Sequence, residues 1–261
     1  MPTPPDECPK ADDKEFMMTL AKGLAVLESF GAERPAMTLS QVAQALRLSR
    51  ATARRILRTL AELGYVTQNG RSFSLSSGIL KLGFAYLATQ NWIEQATPLM
   101  RQLGDQFHES CSAAILDGAE IVYVARFPAQ RIMSVTLAVG TRLPAFHTSL
   151  GRIQLGFLDE GELWRRIKSL PVEAHTPSTI TDMQALFDRV REDHAQGFSI
   201  VDEELERGLR SIAVPVVHRS GQAIAGLNVS THSTRTTRNE MRERFLPRLR
   251  EVAAQISGLV A

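Results

Sequence analysis

The sequence predicts an α+β chain in two parts, a winged helix-turn-helix followed by a separate α+β unit, and three observations point there. Residues 49–63 read SRATARRILRTLAEL: Ala53, Ile56, Leu57, Leu60 and Leu63 share one helical face, while Arg50, Arg54 and Arg58 recur every fourth residue on another. Residues 65–68 and 71–75 read as strands around Asn69-Gly70, a strong hairpin signal. From Cys111 onward, β-branched and aromatic runs alternate with amphipathic segments.

The arginine-faced helix has marked ends, Ser49 as N-cap and Gly64 at the exit. Such a face alone is equally consistent with a solvated surface; its neighbours decide. Upstream, Thr38-Leu39-Ser40-Gln41 has the form of a capping box and opens a short helix whose apolar face is Leu39, Val42, Ala43, Ala45 and Leu46, joined to the arginine helix by a turn at Arg47-Leu48. Between residues 40 and 75 the charged residues are Arg47, Arg50, Arg54, Arg55, Arg58 and Arg71 against Glu62 alone. That local imbalance is the footprint of phosphate binding. The expected contact set to double-stranded DNA is Ser49, Arg50, Ala51, Arg54 and Arg55 toward the bases, Arg58 toward the backbone, and Arg71 on the wing.

The chain's 261 residues, 44% of them hydrophobic, suit two domains, and the net charge of +2 makes the basicity a local feature. Two cysteines, Cys8 and Cys111, argue against a disulfide framework and fit a reducing, cytoplasmic setting. No apolar run is long enough to cross a bilayer, so no membrane partner is expected.

In chain order, the boundaries are a disordered tail over 1–14, a DNA-binding domain over 15–77, a linker helix over 78–91 and a second domain over 92–261. A first helix over 15–30 places Leu20, Leu24 and Leu27 on one face. The linker's apolar residues, Ile79 to Leu87, suit a dimer seam, because readers of paired half-sites need a two-fold partner. Strands are expected over 112–116, 120–126, 133–139, 198–201, 210–217 and 222–230. Helices are expected over 91–109, from Ser149, over 162–169, over 182–196 with Met183, Leu186, Phe187 and Val190 inward, and from Asn239, with a restart at Pro247.

With these residues in place, the chain resembles the IclR family of bacterial transcription regulators along almost its whole length. The matching stretches are KGLAVLESF, TLSQVAQALRLSRATARRILRTLAELGYV, LPAFHTSLGR, GFSIVDEELERGLRSIAVPV and AGLNVS. VYVAR, RIMSV, the TSLGR segment and the ending FLPRLREVAAQI look like the subgroup controlling protocatechuate and 4-hydroxybenzoate catabolism through the β-ketoadipate pathway. The resemblance implies a homodimer, often pairing into a tetramer, with a GAF-like C-terminal domain binding a small organic acid of the 4-hydroxybenzoate, protocatechuate or β-ketoadipate class. Carried over onto this chain, the effector positions are Ser149, Leu150, Asp202, Ser211, Asn228 and Ser230. Members often carry Cys where Ser211 stands, although Ser can still donate a hydrogen bond.

The residues themselves make such a cup reasonable. A helix start at Ser149 offers free amides to a carboxylate, and Leu150, Met133 and Phe146 suit an apolar ring. Asp202 would repel an acid unless a proton, water or cation intervenes, and capping a turn or holding a nearby arginine such as Arg210 are its other readings. Arg142, Arg152 and His147 are conceivable counter-charges, with surface arginines and a core histidine as the plainer reading. His108 and Cys111 form an isolated H-x-x-C, and Ser149, His147 and Asp202 lack a nucleophile elbow, so neither a metal site nor catalysis is expected. Glycine fingerprints for nucleotide cofactors are absent. The rival function is an architectural DNA-binding protein whose second domain only oligomerises.

Overall fold

The computed structural model describes residues 14–129, 137–169 and 173–260. The expected disordered tail lies outside them but for Lys14, as does Met133. The chain divides between Thr89 and Gln90 into two compact units.

The first unit comprises α1 (Met18–Glu28), β1 (Ala36–Thr38), α2 (Leu39–Ala45), α3 (Arg50–Glu62), β2 (Val66–Asn69), β3 (Ser72–Leu75), a 3₁₀ turn (Ser77–Ile79) and α4 (Leu80–Ala88). The capping box forms: the Thr38 hydroxyl accepts the Gln41 N–H at 3.3 Å, and Gln41 Oε1 accepts the Thr38 N–H at 2.8 Å. Ser49 Oγ accepts the Thr52 N–H at 3.1 Å at the start of α3. Ala53, Ile56, Leu57 and Leu60 bury their side chains in a cluster with Val26, Met37, Val42 and Leu46. Each large aliphatic side chain buried there contributes about 1.5–3 kcal/mol.

Two expectations fail at the margins of this core. Leu63 is 64% exposed, because α3 has already ended and Leu63 serves as its C-cap. On α1 the buried residues are Ala25 and Val26, and of the three expected leucines Leu27 packs against this core while Leu20 and Leu24 stand exposed. β1, too short for any periodicity to show, pairs Met37 with Phe73 and gives the wing sheet the order β1-β3-β2. On α4, Leu80, Leu82, Phe84 and Tyr86 are all exposed and no residue is buried.

The second unit comprises α5 (Asn91–Phe107), β4 (Ser110–Asp117), β5 (Glu120–Phe127), β6 (Arg142–Pro144), α6 (Ser149–Leu155), α7 (Glu160–Ser169), α8 (Met183–Gln196), β7 (Ser199–Asp202), β8 (Leu209–Val217), β9 (Ala223–His232), α9 (Arg238–Glu240) and α10 (Leu246–Leu259). Its strands form one antiparallel sheet in the order β6-β5-β4-β9-β8-β7. Gly104 of α5 lies against Cys111 and Phe127 on one face of this sheet, whereas α6 crosses the other so closely that a Cβ on Gly226 would stand 2.9 Å from the Leu150 carbonyl oxygen.

The strand expected over 133–139 lies outside the described residues up to 136, and residues 137–139 are not strand. The described strand that pairs with β5 there is β6. Met183 sits in the first turn of α8 and is 40% exposed, while Leu186 and Val190 are buried. Pro247, which lacks an N–H, stands at the start of α10, and a π-helical turn (Met241–Phe245) precedes it.

Within α6, Arg152 is fully buried. Its guanidinium forms a bidentate pair with Glu204, Nη1 to Oε1 at 2.8 Å and Nη2 to Oε2, while Nε donates to the Phe146 carbonyl at 2.8 Å. The pair ties α6 to the turn before it and to the segment after β7. Arg152→Met should therefore cost about 3–5 kcal/mol in urea denaturation by stranding a buried carboxylate, and adding Glu204→Leu should recover most of that loss.

Candidate nucleic-acid interface and ligand cavity

On the first unit, Arg50, Arg54, Arg58 and Arg71 line a single groove between α3 and the wing, together with Ser40 and Gln68. Ser49, Ala51 and Arg55 are exposed on α3 but do not line it. Among the described residues none of these five arginines is paired with a carboxylate, which leaves their guanidinium donors to an outside partner.

The wing turn differs from its sequence signal. Asn69 pairs with Ser72, so the two-residue loop is Gly70-Arg71 rather than Asn69-Gly70. Gly70 takes φ +60° and Arg71 a negative φ, the order that suits a type II′ turn. This register sets Arg71 at the tip of the hairpin, beside the groove.

On the second unit, a cavity of about 450 Å³ opens on the α6 face of the sheet. Its polar wall is built on two rungs that follow one another on this face of the sheet, two residues apart along β4. One pairs Arg126 of β5 with Ser112 of β4, and Ser112 with Asn228 of β9. The other pairs Ser110 of β4 with Ser230 of β9, and Ser230 with Ser211 of β8. Directly opposed residues point to the same face of a sheet, so both sets converge on the cavity.

Among the described residues, three buried polar atoms of side chains around the cavity have no hydrogen-bond partner: Arg126 Nε, His147 Nδ1 and Asn228 Oδ1. Buried polar atoms are nearly always hydrogen-bonded, so three such orphans around one cavity single it out as the candidate ligand site. Burial pushes His147 down to about 4, with Arg152 and His175 adding to the effect, so its ring is neutral near pH 7.

The carried-over positions are sorted by this geometry. Ser211, Asn228 and Ser230 line the cavity. Ser149 is fully buried behind it and shares a 2.9 Å hydrogen bond with Ser211. Phe146 and Leu150 are packed in the hydrophobic core and do not line it. At the start of α6, Thr148 Oγ1 accepts the Gly151 N–H at 3.1 Å, and Ser149 and Leu150 are buried and do not line the cavity.

Asp202 lies apart from the cavity. Arg210 holds both its oxygens, at 2.7 and 3.0 Å, and Arg238 adds a bond at 2.8 Å. Burial tends to raise this carboxyl, and the two guanidinium groups outweigh it and hold the group below its ordinary value. Of the three conceivable counter-charges, Arg142 pairs with Asp117 and Glu120 at the surface, and Arg152 is the buried partner of Glu204. Only His147 lines the cavity.

Arg126 and Tyr123 were not anticipated. Three residues apart on a strand, they should face opposite ways. A bulge shifts the register between Ala113 and Ala114 so that Ala125 faces Ala113 and Tyr123 faces Ala114, which turns Tyr123 and Arg126 onto the same face. Nothing in the composition of EIVYVARF announces that bulge.

A winged helix-turn-helix with an open arginine groove, joined in one chain to a domain holding a polar-walled cavity, defines a DNA-binding regulator with a sensing module. The chain belongs to the IclR family: residues 19–70 match the IclR helix-turn-helix domain and residues 84–258 match the bacterial transcriptional regulator IclR C-terminal domain. It is 43% identical over 251 residues to the Pca regulon regulatory protein of Pseudomonas putida, covering 94% of this chain and 86% of that protein. A solved transcriptional regulator from Rhodococcus sp. RHA1 superposes with a TM-score of 0.83 at 42% identity, covering 94% of this chain and 98% of that one. The inducer-binding domain of the PobR transcription factor from Acinetobacter, solved as a double mutant with 3-hydroxybenzoic acid, matches with a TM-score of 0.61 at 31% identity, over 64% of this chain and 98% of that one. These relatives accord with the protocatechuate and 4-hydroxybenzoate subgroup.

Two outcomes follow from this geometry. Arg54→Ala and Arg58→Ala should weaken binding to operator DNA in a salt titration and flatten its log–log slope by about 0.9 for each phosphate left without its guanidinium. In the ligand-free protein, the folded-state value of His147 lies below its ordinary 6.5, so its contribution to stability is full above pH 6.5 and is lost as pH falls toward about 4. His147→Gln should flatten that part of the pH–stability profile measured by chemical denaturation.

Proposed function

We propose that the cavity receives a small aromatic hydroxy acid and that its occupancy sets how the protein grips its operator, placing genes of aromatic-compound catabolism under its control. The three unpartnered polar atoms on one wall carry this reading, because they supply both donor and acceptor sites to an otherwise partly apolar cavity. The PobR domain crystallised with 3-hydroxybenzoic acid and the Pca regulon regulator support the same ligand class. In this reading the protein performs no catalysis and acts in the cytoplasm.

The exposed apolar residues of α4, Leu80, Leu82, Phe84 and Tyr86, suit a homodimer seam, with a dimer of dimers as the larger assembly. Two recognition helices would then meet two half-sites, with Arg50 to Arg58 spanning about 12 Å, roughly three to four base pairs of groove. Reciprocity is required of such a switch: if the acid changes operator affinity, the operator changes acid affinity by the same factor. An architectural protein with an oligomerising second domain would have no use for orphaned polar atoms around a cavity.

A thermal-shift series with 4-hydroxybenzoate, protocatechuate and β-ketoadipate tests the reading. At about 100 times its dissociation constant, the cognate acid should add about 2.7 kcal/mol to the stability of the domain that binds it. No shift with any of these acids, together with unchanged operator affinity, would leave the architectural alternative standing.

A further inference from the structure

We propose that Arg126 is the carboxylate anchor of this cavity and that the ligand lies along one rung of the sheet, its acid end at Arg126 on β5 and a hydroxyl end at Asn228 on β9. This assignment rests on the reading of the cavity as a site for an aromatic hydroxy acid.

Elimination among the cations leads to Arg126. Arg152 is engaged by Glu204, Arg210 by Asp202, Arg235 by Glu109 and Arg142 by Asp117 and Glu120. The first turn of α6 is capped by its own Thr148. Arg207 lines the cavity but is exposed at its rim. Arg126 is half-buried, and no carboxylate of the described residues pairs with it. Its Nη1 donates to Ser112 Oγ at 3.2 Å, which leaves the buried Nε as a donor without an acceptor among the described residues. Burial lowers its proton affinity, the condition of a cation that lacks its counter-ion.

The other end is fixed by Asn228. Its Nδ2 donates to Ser230 Oγ at 3.1 Å, so Oδ1 is the atom left without a donor among the described residues. A carboxylate cannot satisfy it, whereas a hydroxyl can. Arg126 and Asn228 are both register partners of Ser112 and therefore stand two strands apart, about 10 Å between backbones. Both side chains belong to the same rung of the wall, so one aromatic hydroxy acid can meet Arg126 with its acid group and Asn228 with its hydroxyl. Tyr123, Leu137 and Leu143 supply apolar wall beside it.

Isothermal titration of the full chain with 4-hydroxybenzoate, its uncharged amide 4-hydroxybenzamide, and benzoate tests the assignment. The wild-type protein should prefer the acid to its amide, and Arg126→Gln should weaken 4-hydroxybenzoate by about 10- to 100-fold while leaving 4-hydroxybenzamide nearly unchanged. Arg126→Lys, which keeps the charge, should recover part of the loss. The wild type should also prefer 4-hydroxybenzoate to benzoate, and Asn228→Leu should erase that preference. Equal affinity of the wild type for acid and amide overturns the proposal without recourse to any variant, and so does an equal loss of both ligands in Arg126→Gln. Wild-type protein that binds none of the three overturns the aromatic-acid reading and the proposal with it, whereas tight binding of 4-hydroxybenzoate that survives Arg126→Gln overturns the proposal alone.

Discussion

Arg152 and Glu204 meet in the interior of the sensing unit, and the geometry around the cavity is referred to that meeting. A charged pair so deeply buried is a poor source of net stability, because desolvation offsets most of the Coulombic gain. It does confer definition. One guanidinium holds the Phe146 carbonyl, next to His147 in the cavity wall, and Glu204, beside the segment Leu205 to Gly208 that forms the rim. Wall and rim are thus fixed by a single planar group. Thr179, whose hydroxyl donates to the Glu204 carbonyl at 2.6 Å, adds a second tether to the same segment.

The two units solve opposite electrostatic problems. On the helix-turn-helix, the guanidinium groups of Arg50, Arg54, Arg55, Arg58 and Arg71 pair with no carboxylate of the described residues, which suits a polyanion arriving from outside. In the sensing unit Arg152, Arg210 and Arg235 each have an internal acid, so that among the described residues Arg126, with Arg207 at the rim, and a few neutral polar atoms are what a small molecule meets. Coupling between the units then calls only for a ligand-dependent preference between arrangements of the chain, not for any charge passing between them.

How much of this was legible in the residues depended on the range over which each feature is determined. The capping box at Thr38, the N-cap at Ser49 and the buried stripe Ala53, Ile56, Leu57 and Leu60 are local, and all form as their spacing implies. The hairpin was visible, but its register was not, because Asn69-Gly70 and Gly70-Arg71 are equally plausible loops until β3 finds β1 as well as β2. Leu20, Leu24 and Met183 have core chemistry and lie outside it, since amphipathic periodicity reports that a helix has an apolar side and not which residues its neighbours cover. In the sensing unit Ser211, Asn228 and Ser230 came from family resemblance, and the structure brings them to one wall; Asp202 came the same way and lies in an ion-pair cluster elsewhere. Arg126 and Tyr123 escaped notice because a bulge, which depends on pairing between β4 and β5, decides where they point.

That the cavity's polar groups sit on different strands of an antiparallel sheet has a consequence for how such a scaffold diversifies. The backbone hydrogen bonds that hold Arg126, Ser112, Asn228, Ser230 and Ser211 in place are made whatever side chain each position carries. An exchange at one site therefore rewrites a single letter of the chemical vocabulary presented to small molecules while its neighbours keep their stations. Lineages sharing this frame can drift from one metabolite to another in single mutational steps, without first dismantling the architecture that reports occupancy to the genome.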